Sequence, residues 1–236
     1  MVCHPFDFVR DGYAVCFLLY GQFAYYRNKN KCIIVYKMRR RILLNASSGG
    51  DDGRKTIGGY EVVDLGLSNG LLFATCNVGA TKEEEYGNYY QYGKGDAQYT
   101  ATSGDSDYSG TEDPLASSAD TATQAMGSGW RMPTLDEFED LINNTNYKWT
   151  TINRIDGGKF TSKTNPNAYV FFPAAGDYRA TLGAKGLASY IWCSTFGDRA
   201  YGKLWSYYLH VSNGSNVTGS YFRNLGCSVR GVHAAV

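Results

Sequence analysis

The chain has 236 residues, enough for one ordinary domain with its own core plus an appendage, and 23 Lys and Arg against 22 Asp and Glu leave a formal charge of +1. Arg27, Lys29, Lys31, Lys37, Arg39, Arg40 and Arg41 crowd together near the N-terminus, so the larger part lacks the basic stripe of a nucleic-acid binder. Its 20 tyrosines and 28 glycines, set against 5 prolines, describe a strand-rich and loop-rich chain with many amphipathic anchors.

Residues 13–26 form an apolar run of about fourteen positions, short of the roughly twenty needed to cross a bilayer. Positive charge follows this run instead of preceding it, the reverse of a secretory signal, so no stable membrane span is expected. Met38, just before Arg39, is a candidate true start, with the upstream residues an extension of the reading frame. Residues 45–59 are rich in Ser, Gly and Asp and read as a linker. The expected division is therefore an N-terminal extension and linker over 1–56 and a single domain over 57–236.

From Tyr60 the pattern tightens. Residues 60–67 read as a first strand, 68–70 as a turn, and 71–75 as a second strand. Thr81 followed by Glu84 fits a capping box and predicts a short helix ended by Gly87. Residues 93–120 carry little apolar content and predict a long loop or inserted flap. The clearest helix start lies at Thr134, after Pro133 and three residues before Glu137, with Leu135, Phe138, Leu141 and Ile142 as its buried stripe. Strands are expected at 149–152, 159–162, 169–173 (closed by Pro173), 191–192, 205–211, 216–220 and 227–232. The fold class is α+β, with mixed or antiparallel strands, two short helices and long loops.

Residues 186–232 hold nine aromatic and five charged residues, a composition that suits contact with varied ligands better than chemistry on one substrate. Trp192, Ser194, Tyr207, Leu209, Val211, Val217, Arg223, Gly226, Ser228, Val229 and Arg230 read as its frame. Arg131 and Arg230 are expected to bond backbone carbonyls or a buried carboxylate such as Asp64. Cysteines at 3, 16, 32, 76, 193 and 227 show no C-x-x-C spacing, and free, partly buried thiols are favoured over a Cys193–Cys227 bridge. Glu83, Glu84, Glu85, Asp136, Glu137 and Glu139 sit in predicted first helical turns, where carboxylates favour the dipole, so no catalytic pair is read from them. His4, His210 and His233 are too scattered for a metal set, and no cofactor is expected.

Four ordered segments carry a resemblance: residues 63–80 (VDLGLSNGLLFATCNVGA), 130–138 (WRMPTLDEF), 172–176 (FPAAG), and 192–195 (WCST) leading to 228–230 (SVR). Together they resemble the Fibrobacter succinogenes major paralogous domain family of bacteria and phages, over about residues 59–232. The resemblance implies a C-type-lectin-like fold, similar to the formylglycine-generating enzymes in architecture, with residues 60–65 paired to 227–232. The C-terminal segment alone is similar to the variable region of proteins diversified by retroelements in phages and gut bacteria, where adenines in Asn-type codons are randomised on a lectin-like scaffold.

That likeness implies a ligand-binding set of Tyr190, Asp198, Tyr201, Trp205, His210, Ser212, Thr218, Ser220, Tyr221, Phe222 and Asn224, with Lys203 and Leu225 among the positions that vary. Cys193, Gly219 and Cys227 depart from the usual Ser, Val and aromatic residue, through drift or through diversification. No Glu-Pro-Asn or Trp-Asn-Asp triplet occurs, so a metal-free site is expected. The function implied is non-enzymatic binding of a protein or glycan ligand on a cell surface, of adhesin or phage receptor-binding type. It would be located at a cell surface or on a virion. The alternatives are a formylglycine-generator-like oxidase using Cys193 and Cys227, or a structural surface or tail protein.

Overall fold

The computed structural model describes strand backbone within residues 14–36, and residues 51–95, 109–179, 181–200 and 203–235; side chains are described for 51–95, 109–179, 181–197 and 204–235. Two compact units are present, Met1–Ser48 and Gly49–Val236. In the first, β1 (Ala14–Phe17), β2 (Phe23–Asn28) and β3 (Lys31–Tyr36) form an antiparallel meander. The apolar run at 13–26 thus supplies backbone to two strands, and among the described residues no helix is long and apolar enough to cross a membrane.

The second unit opens earlier than residue 57. Strand β4 (Arg54–Ile57) lies inside the expected linker, because the Gly58–Gly59 turn folds it back on β5 (Tyr60–Asp64). Both glycines have positive φ, 57° and 90°, the geometry a two-residue hairpin turn demands. Next come β6 (Leu71–Asn77), α1 (Thr121–Met126), β7 (Trp130–Arg131) and α2 (Leu135–Asn144). A hairpin follows of β8 (Thr145–Ile152) and β9 (Ile155–Ser162), which also pairs β10 (Tyr169–Pro173). Short β11 (Asp177–Tyr178) and β12 (Leu182–Gly183) precede β13 (Ala188–Ala200), β14 (Lys203–Ser212), β15 (Ser215–Phe222) and β16 (Arg230–Ala234).

The architecture is mostly antiparallel sheet with two helices among the described residues. A five-stranded sheet runs β4-β5-β6-β16-β7, and three-stranded sheets run β10-β9-β8 and β13-β14-β15. Chain start and end of this unit therefore share one sheet, but the expected pairing of 60–65 with 227–232 is corrected. Strand β6 lies between β5 and β16, since its residues are buried on both faces and it takes the central place.

Two apolar clusters flank the β13-β14-β15 sheet. Strand alternation sends Ile191, Leu209 and Val211 to one side, where they meet Phe138 and Leu141 of α2, Phe160 and Phe172, all fully buried. On the other side Trp192 joins Tyr90, Tyr92, Met132, Leu225, Cys227 and Val229. Burying each such large side chain stabilises the fold by about 1.5–3 kcal/mol relative to exposure.

Helix α2 starts as its sequence dictates. Thr134 Oγ1 accepts from Glu137 N at 3.3 Å, and Glu137 Oε2 accepts from Thr134 N at 2.8 Å. Arg131 then donates to both oxygens of Glu137, tying β7 to the helix N-terminus.

No helix forms at 81–87. There the Glu85 carboxylate, not that of Glu84, accepts from the amides of Thr81 and Lys82 and the Thr81 hydroxyl, closing a turn with no apolar stripe to bury. The second helix is α1. Buried Asp120 caps it, accepting from Thr123 N at 2.9 Å while also holding Met132 N at 2.9 Å.

Candidate ligand-binding face

In an antiparallel pair, directly opposed residues point to the same side of the sheet. The register Tyr190↔His210 between β13 and β14, with Ser206↔Tyr221, Tyr208↔Gly219, His210↔Val217 and Ser212↔Ser215 between β14 and β15, places Tyr190, Tyr208, His210, Ser212, Val217 and Tyr221 on one side. This is the side of Trp192 and Cys227. Tyr190, Tyr208 and Tyr221 pack on that second cluster with one part of each ring and stay partly exposed with the rest.

The aromatic contacts are continuous. Tyr190 meets Tyr208 edge-on at 5.5 Å and the His210 ring at 5.0 Å, while Tyr208 touches buried Trp192 at 6.2 Å. Gly219 lies opposite Tyr208, and a Cβ there would stand 3.1 Å from the phenol oxygen, so glycine leaves that ring room. At the other end Trp205, Tyr221 and Phe222 form a triad with centroid separations of 4.8–5.8 Å. The Arg179 guanidinium lies 5.2 Å from the Tyr221 ring and binds buried Asp177 at 2.8 Å. Burial pushes the Tyr208 phenol up to about 12 and raises Tyr190, so both stay protonated donors at neutral pH. Burial also lowers His210, whose imidazole is therefore neutral there.

Beneath this surface the frame is buried and hydrogen-bonded. Trp192 Nε1 donates to Tyr90 O at 2.9 Å. Arg223, 1% exposed, donates from Nε to Trp205 O at 3.1 Å and Ser206 Oγ at 2.9 Å, and from Nη1 to Gly110 O at 2.6 Å. Arg230, also fully buried, reaches Asn77 Oδ1 and the carbonyls of Ala74, Thr75 and Phe171, so Asp64 is not its partner. The carbonyls, uncharged, cannot compensate the guanidinium, and burial pulls it down to about 10.

The expected contact set divides. Tyr190, His210, Ser212 and Tyr221 share the aromatic side, whereas Trp205, Thr218, Ser220 and Phe222 register on the α2 side, where Thr218 Oγ1 reaches Glu139 Oε1 at 3.4 Å. Trp205 and Phe222 still touch Tyr221 around the end of the strand pair. Asn224 follows β15 in a turn, and its carbonyl accepts from Gln91 Nε2 at 3.4 Å. The Asp198 and Lys203 side chains and all of Tyr201 lie outside the described residues.

Two positions change role. Val217, read as frame, is 50% exposed because it pairs His210 on the aromatic side, and Leu225, placed among the variable positions, is 4% exposed within the second cluster. Sequence reasoning missed Tyr208 and Arg179. For Tyr208 the signal was available: Leu209 and Val211 as core residues force 208 and 210 to the opposite side.

Cys193 and Cys227 are free, fully buried, and in different clusters. Burial pushes Cys193 up to about 12 and Cys227 far above the ordinary thiol range, so neither forms a thiolate near neutral pH. An open cleft of about 800 Å³ lies elsewhere, between Tyr60, Cys76, Lys82 and Met126. The Arg54 side chain on its wall is engaged by Glu61 and Glu83. Among the described residues no group of three His, Cys, Asp or Glu is placed to hold a metal ion. Comparison with known proteins returned no matching family model, curated protein or solved structure.

Proposed function

We propose that the chain is a non-enzymatic ligand-binding protein of adhesin or phage receptor-binding type. Its C-type-lectin-like domain would take a protein or glycan ligand on the face formed by β13, β14 and β15, in the manner of retroelement-diversified variable proteins. The observation that carries this reading is the separation of roles along β13–β15. Tyr190, His210, Val217 and Tyr221 stand partly or well exposed on one side, while the groups that hold the strands together, Trp192, Arg223 and Arg230, are buried and bonded elsewhere.

Rigid aromatic rings and neutral hydroxyl and imidazole donors supply large contact area at low entropic cost. His210 and Val217 lie outside the two buried clusters and Tyr190 and Tyr221 only lean on one of them, so their identity can change at limited cost to the sheet. The location of β5, β6 and β16 in one sheet accords with a domain whose first and last strands lie close, as in lectin-like folds. Burial of both C-terminal thiols speaks for binding over thiol chemistry.

The test is an array of glycans and cell-surface proteins probed with the parent and with a Tyr190→Ala, Tyr221→Ala double variant. Binding by the parent is expected, with affinity at least about tenfold weaker in the variant, which should still unfold cooperatively at a somewhat lower temperature because both rings lean on the second cluster. Silence of the parent across the array, or full binding by the variant, would count against this face. For diversification the decisive observation is in neighbouring DNA: a reverse transcriptase with an adenine-biased near-copy of the codons for 186–232.

A further inference from the structure

The β13-β14-β15 sheet ends on β15, and among the described residues no strand pairs with its outer edge. An edge strand exposes a row of N–H and C=O groups that template another strand, and soluble proteins blunt such edges with lysine, proline or a bulge. Other edges of this domain follow that rule. Strand β4 carries Arg54 and Lys55, β8 carries Lys148, and β10 ends in Pro173.

Strand β15 does not. Its eight residues, SNVTGSYF, include no charge and no proline, and it pairs β14 at eight consecutive positions without a bulge. Its Val217 is 50% exposed. Helix α2 covers one side of the sheet through Phe138 and Leu141, which is a side and not an edge.

We propose that β15 pairs antiparallel with β15 of a second copy of this chain, joining two three-stranded sheets into one of six. Registers that differ by two-residue slips all keep opposed residues on matching sides, and among them the one centred on Gly219 opposes rings to β-branched residues. It sets Val217 against the partner's Tyr221, Thr218 against the partner's Ser220, and Asn216 against the partner's Phe222. Opposed residues then lie on matching sides, and a one-residue slip would break that match at every position. The dyad falls on the residue without a side chain, so two rings and two valines close around it as aromatic to β-branched pairs. The consequence is a doubled aromatic surface, independent of what that surface binds.

Sedimentation equilibrium on the full chain tests this. The parent is expected to show a concentration-dependent dimer. Val217→Lys alone, and Tyr221→Glu alone, should each raise the dimer dissociation constant about tenfold or more; the melting temperature should be unchanged for Val217→Lys, at a half-exposed site, and lowered for Tyr221→Glu, whose ring leans on the second cluster. An equimolar mixture of the two variants should restore dimer, since the introduced lysine of one copy faces the introduced glutamate of the other. A parent that stays monomeric at every concentration, a dimer untouched by both variants, or a mixture that stays monomeric would each overturn the pairing.

Discussion

Replacing Arg230 with methionine removes a guanidinium that donates to four acceptors from two other strands, β6 and β10: Asn77 Oδ1 at 3.0 Å, Ala74 O at 2.8 Å, Thr75 O at 2.5 Å and Phe171 O at 2.8 Å. Hydrogen bonds from a charged donor contribute about 1.5–3 kcal/mol each, so the gross loss is about 6–12 kcal/mol. Releasing the buried charge offsets part of this. The fall of its pKa from 12.5 to about 10 corresponds to about 3 kcal/mol of burial penalty. The net expectation for Arg230→Met is a loss of about 3–9 kcal/mol, a large share of the roughly 5–15 kcal/mol that holds a domain folded. Urea unfolding followed by tryptophan fluorescence measures it, because Trp130, Trp149, Trp192 and Trp205, the 4 tryptophans of the chain, all lie in the Gly49–Val236 unit. Arg230→Lys, with the charge but not the planar fork, should fall between parent and methionine variant. A methionine variant within about 1 kcal/mol of the parent would show that packing alone joins these strands and refute the bookkeeping.

Thiol labelling of the native chain, mapped by mass spectrometry of its peptides, should modify Cys76 within minutes but Cys193 and Cys227 only in denaturant, since both are sealed and their thiols held far above neutrality. Native-state labelling of either would contradict the two-cluster core. For Glu137, burial opposes ionisation, but hydrogen bonds from Arg131 and Thr134 outweigh it and hold the carboxyl below its ordinary value. Between the folded and unfolded values the unfolded chain binds more protons, so this stabilisation is present above the unfolded pKa and lost as pH falls through the folded one. Glu137→Gln should therefore flatten the acid limb of a stability-against-pH curve by about 1 kcal/mol, discounted because Arg131 is partly solvated. An unchanged acid limb would mean the pair contributes nothing.

Helix α2 could be read from the sequence because cap, carboxylate and apolar stripe all lie within nine residues, 134–142. Helix α1 could not: its six residues carry no such stripe, and its capping Asp120 is also fixed by Met132, twelve positions on. The segment at 81–87 has the letters of a cap, yet without an apolar face tertiary burial does not reward a helix, and Glu85 closes a turn instead. Strand existence in β13–β15 followed from pattern, whereas the side each residue faces depends on register. That is why Val217 and Leu225 changed places between surface and core, and why the contact set split across the sheet. The carbonyl partners of Arg230 were anticipated in kind, but their identity required knowing that β6 and β10 converge on β16.

Arg223 also fixes something in the chain's path. Tyr92 N donates to its carbonyl at 3.1 Å, and its guanidinium donates to Gly110 O at 2.6 Å, so the chain departs toward residue 96 and comes back past 109 at the same buried residue. Leu115 N and the Tyr92 hydroxyl both settle on Ser194 O, closing the circuit a few residues later. One side chain just past β15 thus fixes Gly110, far earlier in the sequence, together with Trp205 and Ser206 of β14, so a change at Arg223 would be felt in three separate stretches of chain at once.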